Sequence, residues 1–215
     1  MTFTVVIIGW VFSLCLHEFS HALVAYLGGD ETVRDKGYLS FNPLKYTHPV
    51  FSILLPLLFL VMGGIGLPGG AVYIEKWRLR SKQWASAVSL AGPLSNLLLA
   101  ATLVLVLRVI STSTTSIWPG LAFLTLLQVM ALVLNLIPLP PFDGYGVIEP
   151  FLSPAMRDRM DSLRGLLMIL VFFLLWFVPF VNTFFWGLIG NLAHLLGIPM
   201  TLALLGLKQF FFWRN

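Results

Sequence analysis

The run TFTVVIIGWVFSLCLHEFSHALVAYL, Thr2 to Leu27, is continuous and apolar except for His17, Glu18 and His21. At about 1.5 Å per residue a helix of this length crosses the hydrocarbon of a bilayer. It does not read as a cleavable leader, since no basic segment precedes it and its polar residues sit where the apolar heart of a leader would be. Gly28 and Gly29 then end the helix, and a polar stretch from Asp30 to His48 follows.

Working outward, 58% of the 215 residues are hydrophobic and only 10% are charged, too few to cover a soluble globule. The chain reads as an integral membrane protein. Thirteen Lys and Arg against nine Asp and Glu leave a net charge of +4. The cations cluster in short loops between apolar runs, which points to anionic lipid and membrane topology and away from nucleic acid. Cys15 is the single cysteine, which excludes an internal disulfide and any Cys-rich metal knuckle, so a metal must be held by His and carboxylate.

Further apolar runs follow. Pro49 to Leu67 is uncharged but interrupted by Pro56 and broken at its far end by glycines. Gly64, Gly66 and Gly69 match a dinucleotide-binding pattern by accident, because no strand precedes them and no soluble helix follows. A basic loop, Lys76 to Lys82, leads into a run from about Gln83 to Leu107 whose Ser86, Ser89, Ala91, Gly92 and Ser95 allow a neighbouring helix to approach closely. Another run spans about Trp118 to Leu139 and ends in Pro138, Pro140 and Pro141. A charged amphipathic stretch, Arg157 to Arg164, precedes the uncharged run Gly165 to Leu207, which is long enough for a helical hairpin turning near Pro179 and Asn182. The expected fold is an all-α polytopic helical bundle of about five spans plus one re-entrant or hairpin element, with short extended segments near the active site. Residues 1–150 form its catalytic membrane core and 151–215 an amphipathic stretch and C-terminal hairpin.

His17-Glu18-Phe19-Ser20-His21 is H-E-x-x-H. Residues four apart on a helix share a face, so both imidazoles can reach one Zn²⁺, and Glu18 beside the first ligand can take a proton from its water. A carboxylate near the bilayer centre costs roughly 2.5 to 3.5 kcal/mol, so it is seldom carried without a partner or a task. The bland alternative is a buried His/Glu network joining helices. A catalytic zinc site usually has three protein ligands. Asp143 is the leading candidate for the third, because alone among the other acidic residues it directly follows the end of a hydrophobic run; a simple turn residue in Pro-Phe-Asp-Gly is the competing reading. His48, in a loop, and His194, on an apolar helix where interhelical hydrogen bonding is expected, are the rival ligands. Cys15 lies about 200° around the helix from His17 and points away.

Together these residues resemble the site-2 protease family of intramembrane zinc metalloproteases. H-E-x-x-H is its first signature. An N-x-x-P-x-x-x-x-D-G pattern, here Asn135, Pro138, Asp143 and Gly144, is its second. Ala91-Gly92-Pro93-Leu94-Ser95-Asn96 is similar to the A-G-P-x-x-N element of its middle core helix, and Asn42-Pro43-Leu44 to its compact bacterial branch, without PDZ or CBS domain. The resemblance covers roughly residues 10 to 150. It implies one zinc ion per chain held by His17, His21 and Asp143, Glu18 as general base, and Asn135 and Asn96 as substrate-binding residues. It implies hydrolysis of peptide bonds in or near transmembrane segments of membrane-protein substrates, and leaves room for a regulatory membrane partner. A metal-ion transporter, or a non-hydrolytic membrane scaffold, could use the same ligands; the acid beside the first His argues against both.

His21 and Asp143 lie near the C-terminal ends of their runs, so sharing one ion requires those two helices to run the same way. The Gln83 and Trp118 runs supply the two crossings needed, which leaves Pro49 to Leu67 with no net crossing. With the metal end cytoplasmic and the N-terminus outside, every Lys and Arg except Arg108 is expected near the inner boundary of the cell membrane.

Overall fold

The computed structural model describes residues 1–42, 45, 72–110 and 117–214. The re-entrant element expected at Pro49 to Leu67, the glycine pattern at its far end, His48, and Pro43 and Leu44 of the Asn42-Pro43-Leu44 element lie outside these. Among the described residues, regular structure is helical: α1 (Thr2–Gly28), α2 (Thr32–Asp35), α3 (Lys82–Val109), α4 (Trp118–Asn135), α5 (Asp143–Ile148), α6 (Pro154–Ser162), α7 (Arg164–Phe177), α8 (Pro179–Leu196) and α9 (Met200–Phe210). Single 3-10 turns stand at Lys76–Arg78 and Glu149–Phe151.

Helices α1, α3 and α4 are long and apolar enough to cross a membrane, and the pair α6 and α7, bent by 65°, would make a fourth if counted as one broken span. α1 ends where the glycines put its end: Gly29, at φ 116°, caps it, with the amides of Gly29 and Asp30 returned to the Tyr26 and Ala25 carbonyls. α3 starts on Ser81, whose hydroxyl accepts from the Trp84 amide. α4 is the central span. Every side chain from Ala122 to Leu132 is buried, as expected of a helix apolar on all faces.

The ends of the spans pair. The Arg80 amide donates to the Gly28 carbonyl at 2.9 Å, so the chain leaves α1 and enters α3 at one end of the bundle. At the other end Gly120 packs on the Thr2 backbone. α1 and α4 therefore run parallel with α3 antiparallel between them, the arrangement that sharing one ion required.

The C-terminal run is divided more finely than a hairpin. A break at Val178 separates α7 from α8, near the expected turn, and the Asn182 side-chain amide donates to the Leu175 carbonyl across it at 2.9 Å. A second break follows at Gly197, in the left-handed conformation at φ 76°, with Pro199 starting a further turn. The resulting α9 lies against α4 and returns to the Thr2 end, where Gln209 Oε1 accepts from the Thr2 hydroxyl at 2.6 Å and Phe210 stacks on Phe3. Lys208, and Arg214 beside the Trp213 ring that packs on Phe3, therefore join Arg108 away from the metal end, a correction to the expected charge map. Lys36, Lys76, Arg78, Arg80, Lys82 and Arg164 remain at the metal end.

Candidate metal centre

His17 and His21 occupy one face of α1, one turn apart, with both rings buried. Each Nδ1 meets a fixed acceptor: His17 Nδ1–H donates to Asn96 Oδ1 on α3 at 2.6 Å, and His21 Nδ1–H donates to the Val88 carbonyl at 2.6 Å. With the Nδ1 positions used as donors, both neutral rings present Nε2 lone pairs, and these lie 3.0 Å apart.

Asp143 reaches the same point from the other end of the sequence. After Asn135 the chain turns through Pro138, Pro140 and Pro141, with the Pro140–Pro141 peptide cis, and is anchored by Phe142, which is buried and set edge-on to Phe172. Gly144 must follow, because a Cβ there would meet the backbone of Leu136 and the Ile137 carbonyl oxygen at 2.6 Å. Asp143 then opens α5 with Oδ2 at 3.1 Å from His17 Nε2 and Oδ1 at 3.4 Å from His21 Nε2. Despite that proximity Oδ2 is buried without a hydrogen bond, as expected where lone pair faces lone pair.

Three side chains that could hold a metal ion converge here. Four ligands at 2.0 to 2.1 Å around a tetrahedral ion stand about 3.3 Å apart; the two Nε2 atoms stand 3.0 Å apart, and a different Asp143 oxygen approaches each, at 3.1 and 3.4 Å. A space is also kept open above the pair: α3 crosses at Gly92, and a Cβ on that residue would collide with both imidazoles, at 2.5 Å from His17 Nε2. Two imidazoles and one carboxylate suit a divalent ion such as zinc and leave a fourth position toward the cleft. Cys15 is buried in a separate apolar cluster with Ala22 and Ala25. His194 is exposed on α8, away from the three ligands and without an interhelical hydrogen bond among the described residues.

The ligands form the floor of a cleft of about 500 Å³ whose walls include Glu18, Val72, Tyr73, Asn135, Lys76 and Arg164. Glu18 is only 4% exposed. Its Oε2 accepts from the Val72 amide at 3.1 Å, while Oε1 makes no hydrogen bond within the described residues. Val72 belongs to a segment without regular structure, Val72 to Glu75; no strand forms among the described residues, so the expected extended segments are not seen as such. The segment is tied down by buried Asp30, whose Oδ2 accepts from the Glu75 amide at 2.7 Å and whose Oδ1 accepts from Thr32. Hydrogen bonds from Arg78 and Lys36 hold the Glu75 carboxyl below its ordinary range. An ion pair between Lys76 and Glu149 links the segment to the turn after α5.

The two asparagines part company. Asn135 is buried at the cleft wall, and its side chain makes no hydrogen bond within the described residues. The Asn96 amide faces His17, Ser13 and Gln128 and does not line the cleft. Sequence reasoning passed over Ser13, Gln128, Asp30 and the Val72 amide; the available signal was a buried polar residue in an otherwise apolar run, with Ser13 one turn before His17.

A protein of Mycolicibacterium smegmatis named "Putative zinc metalloprotease Rip2" is 44% identical to this chain, over 98% of it and 81% of the relative. The chain belongs to the compact site-2 protease family. A second family member, from Bacillus subtilis and of the same designation with the name YwhC, is 31% identical over 86% of this chain and 85% of its own length. A third, MJ0611 of Methanocaldococcus jannaschii, is 30% identical over 63% and 65%. No family model and no solved structure matches the chain.

Proposed function

We propose that this protein is a zinc-dependent intramembrane endopeptidase, with one zinc held by His17, His21 and Asp143 and Glu18 acting as general base. The observation that carries this reading is the convergence of three lone-pair ligands beside a buried carboxylate on the wall of one cleft. Zinc bound there supplies Lewis-acid polarisation of the scissile carbonyl and a water of lowered pKa. Glu18 takes the proton of the attacking water on Oε1 and passes it to the leaving amine. The Val72 amide holds Oε2 meanwhile, so the carboxylate keeps its aim through both transfers. Asn135, its amide uncommitted, binds the substrate backbone at the scissile carbonyl.

The substrates are membrane proteins with a transmembrane segment. A helix hides its peptide groups in its own hydrogen bonds, so the substrate must unwind locally before it enters the cleft. The Val72 to Ile74 backbone offers an edge on which an extended peptide can pair, and helix-breaking residues near the cleavage point ease the step. The basic residues at the metal end support an active site facing the cytoplasmic side of the cell membrane.

The test is zinc stoichiometry together with cleavage of a panel of single-span substrates by the purified protein. One zinc per chain and cleavage by the wild type are expected, and Glu18→Gln should keep its zinc while turnover falls by at least about 10²-fold. Normal turnover by Glu18→Gln would remove Glu18 as the base, and zinc transport into proteoliposomes without cleavage would replace a protease by a transporter.

A further inference from the structure

The metal ligand His17 stands at the end of a buried hydrogen-bond relay that joins three spans and ends at Gln128, which does not line the cleft. Asn96 Oδ1 on α3 accepts from His17 Nδ1 at 2.6 Å. The other end of that amide, Nδ2, donates to Gln128 Oε1 on α4 at 2.8 Å and lies 3.3 Å from Ser13 Oγ on α1. Ser13 Oγ in turn donates to the same Gln128 oxygen at 2.5 Å. Gln128 is 0% exposed, and its Nε2 is buried with no partner. A glutamine amide placed wholly inside apolar spans, with its own donor unsatisfied, is destabilising. An aliphatic side chain would avoid that cost.

What the glutamine oxygen provides is a polarity. An asparagine amide is nearly symmetric in shape, and in an apolar pocket either end can face His17. With oxygen toward the ring, Nδ1 is the donor and Nε2 carries the lone pair a metal needs. With nitrogen toward the ring, Nδ1 must accept, the proton moves to Nε2, and the ring cannot ligate. An acceptor at Gln128 Oε1 binds the NH₂ end of Asn96, which Ser13 Oγ also accepts, and so holds the Asn96 oxygen on His17.

We propose that Gln128 is a positioning residue for the metal centre: with Ser13 it orients the Asn96 amide and thereby fixes His17 in the tautomer that ligates. The inference rests on the metal site proposed above. It also assigns Asn96 to the ring of His17 in place of the substrate. Its reach is physical, since each contact is a direct hydrogen bond, and α4 also carries Asn135 at the cleft wall, two turns beyond Gln128 on the same face.

The test measures zinc affinity of the detergent-purified full chain by competition with a chromogenic chelator, a readout independent of turnover. Gln128→Met, nearly equal in volume but without the acceptor, should bind zinc about tenfold more weakly, the lower end of the range for residues supporting a ligand. Asn96→Asp presents oxygen whichever way it turns, so it should keep near wild-type affinity. Asn96→Asp combined with Gln128→Met should recover the affinity that Gln128→Met loses. Ser13→Ala, a smaller change that covers the case of an unfolded Gln128→Met, should lose about threefold and be recovered by Asn96→Asp in the same way. A role limited to packing predicts no such recovery. Wild-type affinity in Gln128→Met, or a loss that Asn96→Asp fails to restore, overturns the proposal. Failure of the wild type to bind zinc at all would instead remove the metal-site reading on which it stands.

Discussion

His17 can serve a metal only through Nε2, and that requirement accounts for most of what surrounds it. The Nδ1 proton needs an acceptor, which Asn96 gives, and the space above Nε2 needs a residue without a side chain, which Gly92 gives. Gly92→Ala should therefore abolish zinc binding and activity together. Its methyl would stand among the ligand atoms, and relief by moving α3 would cost about 1 to 3 kcal/mol of packing. The matched change Gly165→Ala, at a glycine with nothing within 4 Å of the added carbon, should leave zinc content and cleavage unchanged. Elemental analysis and the cleavage assay read both. At this scale His17, Glu18, His21 and Asp143 were legible in the sequence, because H-E-x-x-H is local and Asp143 directly follows an apolar run. Ser13 and Gln128 were not: their partnership joins residues 115 apart, and one polar side chain in an apolar helix has no spacing to mark it.

Among the elements, the Val72 to Glu75 segment has no ladder or helix to hold it and depends on contacts from elsewhere. Asp30 supplies them, by gripping the Glu75 amide while Thr32 fixes its other oxygen. A hydrogen bond to a charged group contributes about 1.5 to 3 kcal/mol, so Asp30→Ala should release the segment and with it the Val72 amide from Glu18. Cleavage should fall about tenfold or more while bound zinc stays at one per chain. Equal loss of zinc and activity would show instead that Asp30 supports the whole end of the bundle. The end of α1 could be read from Gly28-Gly29, since a glycine cap is local chemistry, whereas the Ser81 cap of α3 emerges only in the structure. The C-terminal run was read as two helices and is three. Its second break, at Gly197 and Pro199, carries a glycine-then-proline signal, but uniform hydropathy from Gly165 to Leu207 concealed it.

For the molecule as a whole, parallel α1 and α4 with α3 between them bring one early and one late stretch of chain to a single point. That arrangement was deducible from the ligands alone, because a shared ion fixes which helix ends meet. The charge map departed from expectation: α9 holds Lys208 at the Thr2 end, beside Gln209 and its bond to Thr2. The orientation in the membrane is open to direct measurement. In a Cys15→Ala background, an impermeant thiol reagent should label Val109→Cys from outside intact cells and Trp77→Cys only in inverted vesicles. The opposite pattern would turn the metal end outward.

The most direct measurement is zinc X-ray absorption of the purified protein, wild type against Asp143→Ala. The account predicts a shell of nitrogen and oxygen only at about 2.0 to 2.1 Å, with the scattering of two imidazoles. It also predicts that zinc occupancy falls sharply in Asp143→Ala. A sulfur in the shell, or an Asp143→Ala protein with full zinc and an unchanged spectrum, would contradict it.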